Sequence, residues 1–282
     1  MSSYPLYIVP TPIGNLEDIT LRALRVLREA VLIAAEDTRT TRTLLARYQI
    51  ETPLTSYHEH NKLSKLDTIF AALETGPVAL VSDAGMPGIS DPGYELIGEA
   101  IARGVRVEPL PGPNAALTAL VASGLPTDGF VFVGFLPKRD RARRELLAEL
   151  ARERRTLIAY ESPNRLLDAL RAIEAVLGDR PICVAREITK LHEEFFRGSV
   201  SAAQAHFIER PPRGEIVLVI GGALRDDAIV WEERAVRAAL RQRLAEGEPL
   251  RMAAKVVGAE SGWDRRAVYA LGLEEKREQN SP

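Results

Sequence analysis

Three short charged segments could take part in acid–base chemistry, and each directly follows a stretch that is predicted to be a strand. AEDTR at residues 35–39 and REITK at residues 186–190 combine carboxylates with cations, and ESPNR at residues 161–165 adds one carboxylate and one arginine. Each segment alone fits the charged, capped start of a helix, worth about 1 kcal/mol. Together they predict a cleft that handles a polar, anionic substrate, because strand ends from both halves of the chain would converge there.

Three loops rich in glycine, proline and small polar residues also follow predicted strands. They are PTPIGN at residues 10–15, SDAGMPGISDPG at residues 82–93 and PLPGPN at residues 109–114. Glycine lets the backbone approach a ligand closely, and ligands of open parallel sheets bind beyond the carboxyl ends of the strands. These loops therefore predict a ligand site. Neither a G-x-G-x-x-G after the first strand nor a P-loop occurs, which excludes the usual dinucleotide and nucleoside-triphosphate sites.

Two aspartates of the second loop have different expected roles. Asp83 directly follows the predicted strand, so we expect its carboxylate to hydrogen-bond a ligand. Asp91 precedes proline and glycine, and we predict that it caps the next helix, with metal ligation as the alternative.

The composition is that of an ordinary globular protein. With 46% hydrophobic and 27% charged residues among 282, a disordered or collagen-like chain is excluded. The longest apolar run, residues 30–35, is far shorter than the ~20 residues that span a bilayer, and the first residues lack the features of a secretory signal. One cysteine, Cys183, and four histidines predict no disulfide, no metal site and a cytoplasmic location.

Residues 138–155 form the most basic stretch of the chain. They hold eight basic and four acidic residues, a local charge of +4 in a chain whose formal net charge is -2. Two interpretations stay open: a solvated helix with i,i+4 ion pairs, or a surface whose arginines contact an RNA backbone.

Strands and helices alternate through the first 225 residues, which predicts α/β layers with helices on the sheet faces. The sheet of the second half is predicted to contain both parallel and antiparallel strands, because strands at residues 193–197 and 215–220 lie close enough for an antiparallel return. The predicted domains are residues 1–114 and 115–228, followed by a helical module at residues 229–282 in which Asp264 caps the last helix. This module fits either a helix-turn-helix or a packing appendage.

Eight segments in one order carry a family resemblance: YIVPTPIGNLEDIT, AEDTR, SDAGMPGISDPG, PLPGPNA, GFLPK, ESPNR, AREITK and GEIVLVI. They resemble the ribosomal RNA small subunit methyltransferase I family, which belongs to the tetrapyrrole-methylase-like, S-adenosylmethionine-dependent class III methyltransferases. The resemblance covers about residues 4–225, and the C-terminal tail resembles the helix-turn-helix extension of the family. Met86 departs from the pattern, where a small polar residue is expected.

The resemblance implies two α/β domains with the cofactor, S-adenosylmethionine, in the cleft between them, and a homodimer. It implies 2′-O-methylation of a cytidine in the decoding centre of 16S ribosomal RNA, within the small subunit. By match, the cofactor loops would consist of Pro12, Ile13, Gly14 and Asn15, of Asp83, Ala84 and Gly85, and of Pro113, Asn114 and Ala115.

This reaction needs positioning and no metal, but a ribose hydroxyl needs a base or a cation that stabilises the developing alkoxide. The candidate catalytic residues are Glu36, Asp37, Glu187 and Lys190. The candidate substrate contacts are Arg39, Arg165, Arg186, Lys138 and Arg139. Two alternatives are a small-molecule methylase acting on a tetrapyrrole and a non-catalytic RNA-binding or ribosome-assembly factor; the first has no use for a basic stretch, and the second would not bind the cofactor.

Overall fold

The computed structural model describes residues 4–59, 61, 63–223, 231–261 and 263–279. The chain divides into two compact units, Met1–Gly222 and Ala223–Pro282. The predicted boundary after residue 114 lies inside the first unit, and the one between residues 228 and 229 falls outside the described residues. The three-domain division therefore stays a prediction.

The first sheet of the larger unit is parallel throughout. Its strands are β1 (Leu6–Ile8), β2 (Leu32–Ala35), β3 (Leu54–Ser56), β4 (Val78–Val81) and β5 (Val107–Pro109). Their order is β3-β2-β4-β1-β5, which places β4 and β1 at the centre. All four residues of β4 are buried, because the strand is apolar throughout and both faces of the sheet are covered.

Four helices cover this sheet: α1 (Leu21–Glu29), α2 (Thr38–Arg47), α3 (Leu66–Thr75) and α4 (Tyr94–Ala102). One face packs against α1 and α2 through buried side chains such as Leu27 and Leu44. The other face packs against α3 and α4 through Ile69 and Leu96. The predicted layers of alternating strands and helices are confirmed, and the sheet directs its loops to one edge.

The second sheet of this unit is mixed, as predicted. Its elements are α5 (Ala115–Ser123), β6 (Phe130–Phe135), α6 (Asp140–Glu149), β7 (Thr156–Glu161), α7 (Leu166–Leu177), β8 (Pro181–Arg186), β9 (Glu194–Ser199), α8 (Val200–Glu209) and β10 (Ile216–Ile220). The order is β6-β7-β10-β8-β9, in which only β6 and β7 are parallel.

The predicted antiparallel return between residues 193–197 and 215–220 is wrong. β8 lies between β9 and β10 and pairs with both. β8 is buried from its second to its fifth residue, so its apolar side chains take a central position and leave the more polar β9 at the edge.

The two faces of the second sheet are covered differently. Helices α6, α7 and α8 pack on one face, whereas the small apolar helix α5 packs on the other. The core under α5 includes Cys183, which is fully buried, and Ile13 from the loop after β1. Ile13 thus joins the loop of the first sheet to the core of the second, while Leu117 and Val121 of α5 stay 47% and 74% exposed.

The smaller unit consists of α9 (Glu233–Ala245), α10 (Leu250–Ser261) and α11 (Arg265–Gln279). Their core contains Val236, Leu240, Ala253, Ala254, Val257, Val268 and Leu271, with Trp231 and Trp263 packed against it. The Asp264 carboxylate accepts hydrogen bonds from the Arg266 and Ala267 N–H groups, so its predicted capping role is confirmed. Within the described parts of the chain, no helix has the length and apolar character needed to cross a bilayer.

Candidate active site

The loops after β1 and β4 are joined at the carboxyl edge of the first sheet. Thr11 and Gly85 exchange two backbone hydrogen bonds of 2.9 Å, and the Thr11 hydroxyl donates to the Ser82 carbonyl oxygen at 3.0 Å. Gly85 has a φ of +83°, a left-handed conformation that glycine adopts without strain. From these two central strands the chain proceeds to opposite sides of the sheet, the usual place of a ligand crevice in a doubly wound fold.

The loop after β1 also contacts the loop after β8. The Asn15 N–H donates to Thr189 Oγ1 at 3.1 Å. At Gly14 the approach is so close that a Cβ there would lie 2.5 Å from Lys190 Cγ. Glu187 and Thr189 have φ values of +50° and +66°, which are strained for residues with side chains. Such strain persists only where surrounding contacts impose it, and these contacts hold the two loops in one arrangement.

Three carboxylates converge where β2 and β4 end. The Asp37 N–H donates to Asp83 Oδ1 at 3.0 Å, and the Asp83 N–H donates to Glu36 Oε2 at 3.3 Å. Burial raises the pKa of Glu36 and of Asp83, and these backbone hydrogen bonds offset part of the effect. The Arg39 side chain instead lowers the pKa of Asp37 to about 2. Nowhere in the described residues do three or more His, Cys, Asp or Glu side chains form a group that could hold a metal ion.

Asp91 lies in the cleft, so its predicted role as a helix cap is wrong. α4 begins after Gly93, and no side chain caps it. Ser90 adopts a φ of +62°, and the Ser82 hydroxyl, which donates to the Gly85 carbonyl oxygen at 3.3 Å, lies beside the Asp91 carboxyl. Burial, together with neighbouring carboxylates, raises the pKa of Asp91 to about 7. The available signal was its position in the same glycine-rich loop as Asp83.

Lys190 bridges two carboxylates on the opposite side of the cleft. Its Nζ lies 2.9 Å from Glu187 Oε1 and 3.0 Å from Glu215 Oε2, and the Glu215 N–H donates to Glu187 Oε1 at 3.0 Å. Burial disfavours the charge on Lys190, but the two carboxylates outweigh it and raise the pKa of Lys190. Burial likewise acts against the charge on Glu187, yet the hydrogen bond from Lys190 leaves the Glu187 pKa lowered. Lys190 is therefore a fixed cation.

Two neighbouring cavities lie between these groups. The first, of ≈320 Å³, is lined by the predicted residues Ile13, Glu36, Asp83, Ala84, Gly85, Asn114 and Ala115. Further lining residues that sequence reasoning did not assign to the site include Asp91, Phe135, Tyr160 and Glu215. The second cavity, of ≈450 Å³, shares Ile13, Asp83 and Ala84 and is also lined by Pro12, Gly14 and Lys190. Most of the predicted cofactor residues are thus brought together.

Three of the predicted cofactor residues shape the loops. Asn15 accepts a hydrogen bond from the Glu17 N–H at 3.1 Å, and Asn114 caps α5 by accepting from the Leu117 N–H at 3.0 Å. Pro113 directly precedes this cap, and its carbonyl oxygen lies 3.9 Å from where a Cβ would be on Gly85.

Two aromatic side chains from the ends of β6 and β7 complete the wall on the side of the second sheet. The Tyr160 hydroxyl accepts a hydrogen bond from the Ala116 N–H, and burial raises the pKa of Tyr160. Phe135 is 56% exposed and meets Tyr160 edge to face, with the ring centroids 5.4 Å apart. Their position at strand ends, Phe135 within the GFLPK segment and Tyr160 directly before ESPNR, was the signal in the sequence.

The candidate substrate-binding cations separate into two groups. Arg186, Arg165 and Arg39 each hold a carboxylate, at 2.9, 2.6 and 2.6 Å. Lys138 and Arg139 are exposed, and neither forms an ion pair within the described part of the chain. Lys138 and Arg139 thus carry positive charge that no described carboxylate binds.

The rest of the basic stretch favours the interpretation as a solvated helix. In α6, Asp140 pairs with Arg143 and Arg144 at 2.7 Å, and Arg141 pairs with Glu145 at 2.8 Å. These i,i+3 and i,i+4 pairs neutralise most of the arginines of the helix.

The fold and the joined loops are those of a tetrapyrrole-type methylase. The chain matches the family of Tetrapyrrole (Corrin/Porphyrin) Methylases over residues 5–204. Similar solved structures include the cobalt precorrin-4 methyltransferase CbiF, with a TM-score of 0.58 and 17% identity over 77% of this chain and 94% of that one. Another is uroporphyrin-III C-methyltransferase from Thermus thermophilus complexed with S-adenyl homocysteine, with a TM-score of 0.53 and 22% identity over 78% and 99%. At these identities the likeness shows the fold alone.

Relatives with the name "Ribosomal RNA small subunit methyltransferase I" are much more similar. The protein of Synechocystis sp. is 48% identical over 95% of this chain and 97% of its own length. That of Thermotoga maritima is 53% identical over 77% and 98%, and that of Bacillus subtilis is 44% identical over 94% and 92%. The chain belongs to this family. Membership of a methyltransferase family confirms the predicted cofactor, S-adenosylmethionine.

The cavity of ≈320 Å³ has the chemistry that this cofactor requires. S-adenosylmethionine carries a sulfonium cation, hydroxyl and ammonium donors, and an apolar purine face. Glu36 and Asp83 offer acceptors for the donors, whereas Ile13, Ala84 and Ala115 offer apolar contacts. Among the described residues that line this cavity, none is a lysine or an arginine, so a cationic ligand meets no repulsion.

Proposed function

We propose that this protein transfers a methyl group from S-adenosylmethionine to the ribose 2′-oxygen of a cytidine in the decoding centre of 16S ribosomal RNA. The observation that carries the proposal is the shared name of relatives that are 44–53% identical, ribosomal RNA small subunit methyltransferase I. The cytidine and its 2′-oxygen come from the family resemblance. The proposed partner is the small ribosomal subunit, and the proposed location is the cytoplasm.

On the cofactor side, the loops of the first sheet hold the ligand. Glu36 and Asp83 accept hydrogen bonds, and the backbone at Gly85 and Asn114 forms the wall between them. The bound cofactor supplies an electrophilic methyl group on sulfur. The contribution of the protein is then to align the acceptor oxygen with that carbon and to exclude water.

On the acceptor side, the four candidate catalytic residues differ in basicity. Asp37 and Glu187 have lowered pKa values, which makes them weak bases, and Lys190 is a fixed cation that stabilises negative charge. Glu36 has a raised pKa, but it also serves the cofactor loops. None of these four residues is both a good base and without another role in the site.

The RNA side of the proposed site is the mouth formed by the end of β6. Phe135 is an exposed aromatic ring on which an unstacked base can lie, and Lys138 and Arg139 follow it with free positive charge for the phosphates. Arg39 is 85% exposed and serves as a further phosphate contact, although it also holds Asp37. Arg165 and Arg186 fix carboxylates and act on the substrate only through them.

The homodimer that the resemblance implies needs an apolar face outside the cleft. α5 offers Leu117 and Val121, which lie one helical turn apart and are 47% and 74% exposed. We assign the dimer contact to this side of α5, because exposing two adjacent apolar side chains to water is unfavourable and a second copy of the chain would cover them.

The proposed function is tested by transfer of labelled methyl from S-adenosylmethionine to small ribosomal subunits that lack the modification. Naked 16S RNA is treated in parallel, and the label is located by nuclease digestion. Label on a cytidine 2′-oxygen of the decoding centre is the expected result. Label on a base or at another site would overturn the proposed target, and transfer only to a tetrapyrrole acceptor would overturn the RNA substrate.

A further inference from the structure

Asp91 is the carboxyl group of the cleft to which none of the roles above applies. It is half-buried and lines the cavity of ≈320 Å³ together with Tyr160 and Glu215 from the second sheet. We propose that Asp91 is the general base that removes the proton from the acceptor hydroxyl. This inference rests on the proposed function and names the residue that performs its proton transfer.

Charged and polar groups surround the Asp91 carboxyl from every element of the cleft. Glu36 approaches from the end of β2, and Asp83 from the end of β4. The Ser82 hydroxyl lies beside it and lowers its pKa. Glu215 and the Tyr160 hydroxyl interact with it from the second sheet. A base in this position faces both the loops that would bind the cofactor and the aromatic side chains Phe135 and Tyr160.

The local backbone holds Asp91 in place. Ser90 directly before it has a φ of +62°, which costs free energy for a residue with a side chain. Gly93 after it has a φ of +149°, and a Cβ there would lie 3.1 Å from Leu80 Cδ2. The loop thus packs closely against β4 at Gly93, and its Asp91 lines the cavity.

The basicity of Asp91 suits the task. Burial is the largest cause that raises the pKa of Asp91, and the charge of Glu36 raises it further. The Ser82 hydroxyl lowers this pKa, whereas Asp83 and Glu215 raise it. The resulting pKa is about 7. A base is most effective when its pKa lies near the working pH. By contrast, Arg39 holds the pKa of Asp37 at about 2, so Asp37 gives up its proton far too easily to accept one from a hydroxyl.

The proton transfer conserves atoms and electrons. The hydroxyl proton moves to an Asp91 carboxylate oxygen while the ribose oxygen forms its bond to the methyl carbon. The bond between that carbon and sulfur breaks, and its electron pair stays on sulfur. The proton then leaves Asp91 to solvent, which restores the carboxylate.

The test compares the wild type with Asp91→Asn and with the control Asp168→Asn, whose carboxylate lies on α7 in an exposed ion pair. Methyl transfer to small subunits is measured as a function of pH, and the affinity for S-adenosylhomocysteine is measured without RNA. Infrared difference spectra between acidic and basic pH record the protonated carboxyl band. The wild type is expected to lose rate as the pH falls below about 7.

Asp91→Asn is expected to lower kcat by about 10²- to 10⁴-fold, the usual contribution of a general base. It is also expected to keep its S-adenosylhomocysteine affinity and to lose the infrared band that titrates near neutral pH. Unchanged kcat in Asp91→Asn would overturn the assignment, as would a fall in S-adenosylhomocysteine affinity that matches the fall in rate. An inactive wild type that still binds S-adenosylhomocysteine would overturn the proposed function itself, and the assignment with it.

Ser82→Ala provides a second test that does not remove the carboxyl. Without the Ser82 hydroxyl, which favours the ionised form, the pKa of Asp91 is expected to rise further. The acidic limb of the rate profile is therefore expected to move to higher pH. A limb that stays in place would overturn the assignment even if Asp91→Asn fails to fold.

Discussion

Among the single side chains, the carboxylate of Glu161 has the strictest need for a partner. It is fully buried, pairs with Arg165 at 2.6 Å, and its second oxygen has no hydrogen bond within the described structure. Arg165→Met would leave this carboxylate unpaired. Removing one partner of such a pair costs about 3 kcal/mol, so the free energy of unfolding is expected to fall by that amount at neutral pH. Urea denaturation followed by circular dichroism measures the loss.

The pH dependence of this loss identifies its cause. Burial already raises the pKa of Glu161 above its unfolded value, and removal of Arg165 raises it further. Stability is then retained at low pH, where the carboxyl is protonated, and is lost as the pH rises through the folded-state pKa. Arg171→Met, whose partner Asp168 is 62% exposed, is the matched control and is expected to cost less than about 1 kcal/mol at any pH. An equal loss in both variants would contradict this explanation.

Phe135 gives a second prediction for a single residue. If its exposed ring holds an unstacked base, Phe135→Ala raises the KM for RNA by about tenfold, since stacking on an aromatic ring contributes about 1–3 kcal/mol per base. The kcat and the affinity for S-adenosylhomocysteine are expected to stay the same. Phe130→Ala, at the opposite end of β6 and 38% exposed, serves as the control. An unchanged KM in Phe135→Ala would remove the ring from the RNA site.

Single residues also mark the limit of what could be predicted from the sequence. Asp37 and Asp264 were recognisable as caps, because capping depends on the next three residues alone. Asp91 has the same local pattern but lies in the cleft. Its role depends on burial and on Glu36 and Glu215, which are distant in the sequence, and local patterns carry no information on such neighbours.

At the scale of elements, the loops after β1 and β8 fit together without spare volume at Gly14. A Cβ there would lie 2.5 Å from Lys190 Cγ and 3.0 Å from the Ile188 carbonyl oxygen, and Lys190 is held by two carboxylates. Gly14→Ala must therefore push the loops apart. We expect a loss of about 1–3 kcal/mol in the free energy of unfolding and a lower affinity for S-adenosylhomocysteine. Denaturation and calorimetric titration measure the two effects.

Gly98 in α4 provides the matched control for this substitution. A Cβ there meets nothing within 4 Å, and alanine is favoured over glycine inside a helix by up to about 1 kcal/mol. Gly98→Ala is expected to leave the affinity unchanged and to raise stability slightly. If Gly14→Ala behaves in the same way, the close approach of the two loops does not matter for the site.

The elements themselves were more predictable than their arrangement. The buried strands such as β4 and β10 show in the sequence as short apolar runs, since a strand covered on both faces has no polar side. The placement of β8 between β9 and β10 was not predictable. Strand order depends on which apolar surfaces pack best in the whole sheet. Because β9 and β10 are close in the sequence, the sequence alone suggests that they pair with each other, whereas β8 lies between them.

At the scale of the whole molecule, the chain consists of a larger unit, which holds the candidate active site, and a separate helical unit. The relative from Thermotoga maritima matches over 218 residues, which are 98% of its own length and close to the length of Met1–Gly222. A protein of that size carries the family name without a counterpart of comparable length to the second unit. We therefore expect residues 1–222 to fold alone and to bind S-adenosylhomocysteine with the affinity of the full chain. An insoluble fragment, or one with weaker binding, would contradict this.

The second unit is expected to act on RNA affinity. Arg251, Lys255, Arg265 and Arg266 are exposed and form no ion pair with any described residue, whereas Arg237, Arg241 and Arg243 are held by glutamates. Replacement of the four exposed cations by glutamine is expected to raise the KM for RNA and to lower its salt dependence. Removal of one cation that binds a phosphate reduces the slope of log affinity against log salt by about one. An unchanged slope would favour the packing appendage.

The positions of the two tryptophans have a practical consequence. Trp231 and Trp263 both belong to the second unit, where the indole N–H of Trp263 donates to the Trp231 carbonyl oxygen at 2.7 Å. The only thiol, that of Cys183, is fully buried in the first unit. Tryptophan fluorescence, excited selectively over tyrosine, therefore reports on the small unit, and thiol labelling reports on the opening of the large one. One unlabelled sample thus contains a separate optical and chemical probe for each unit.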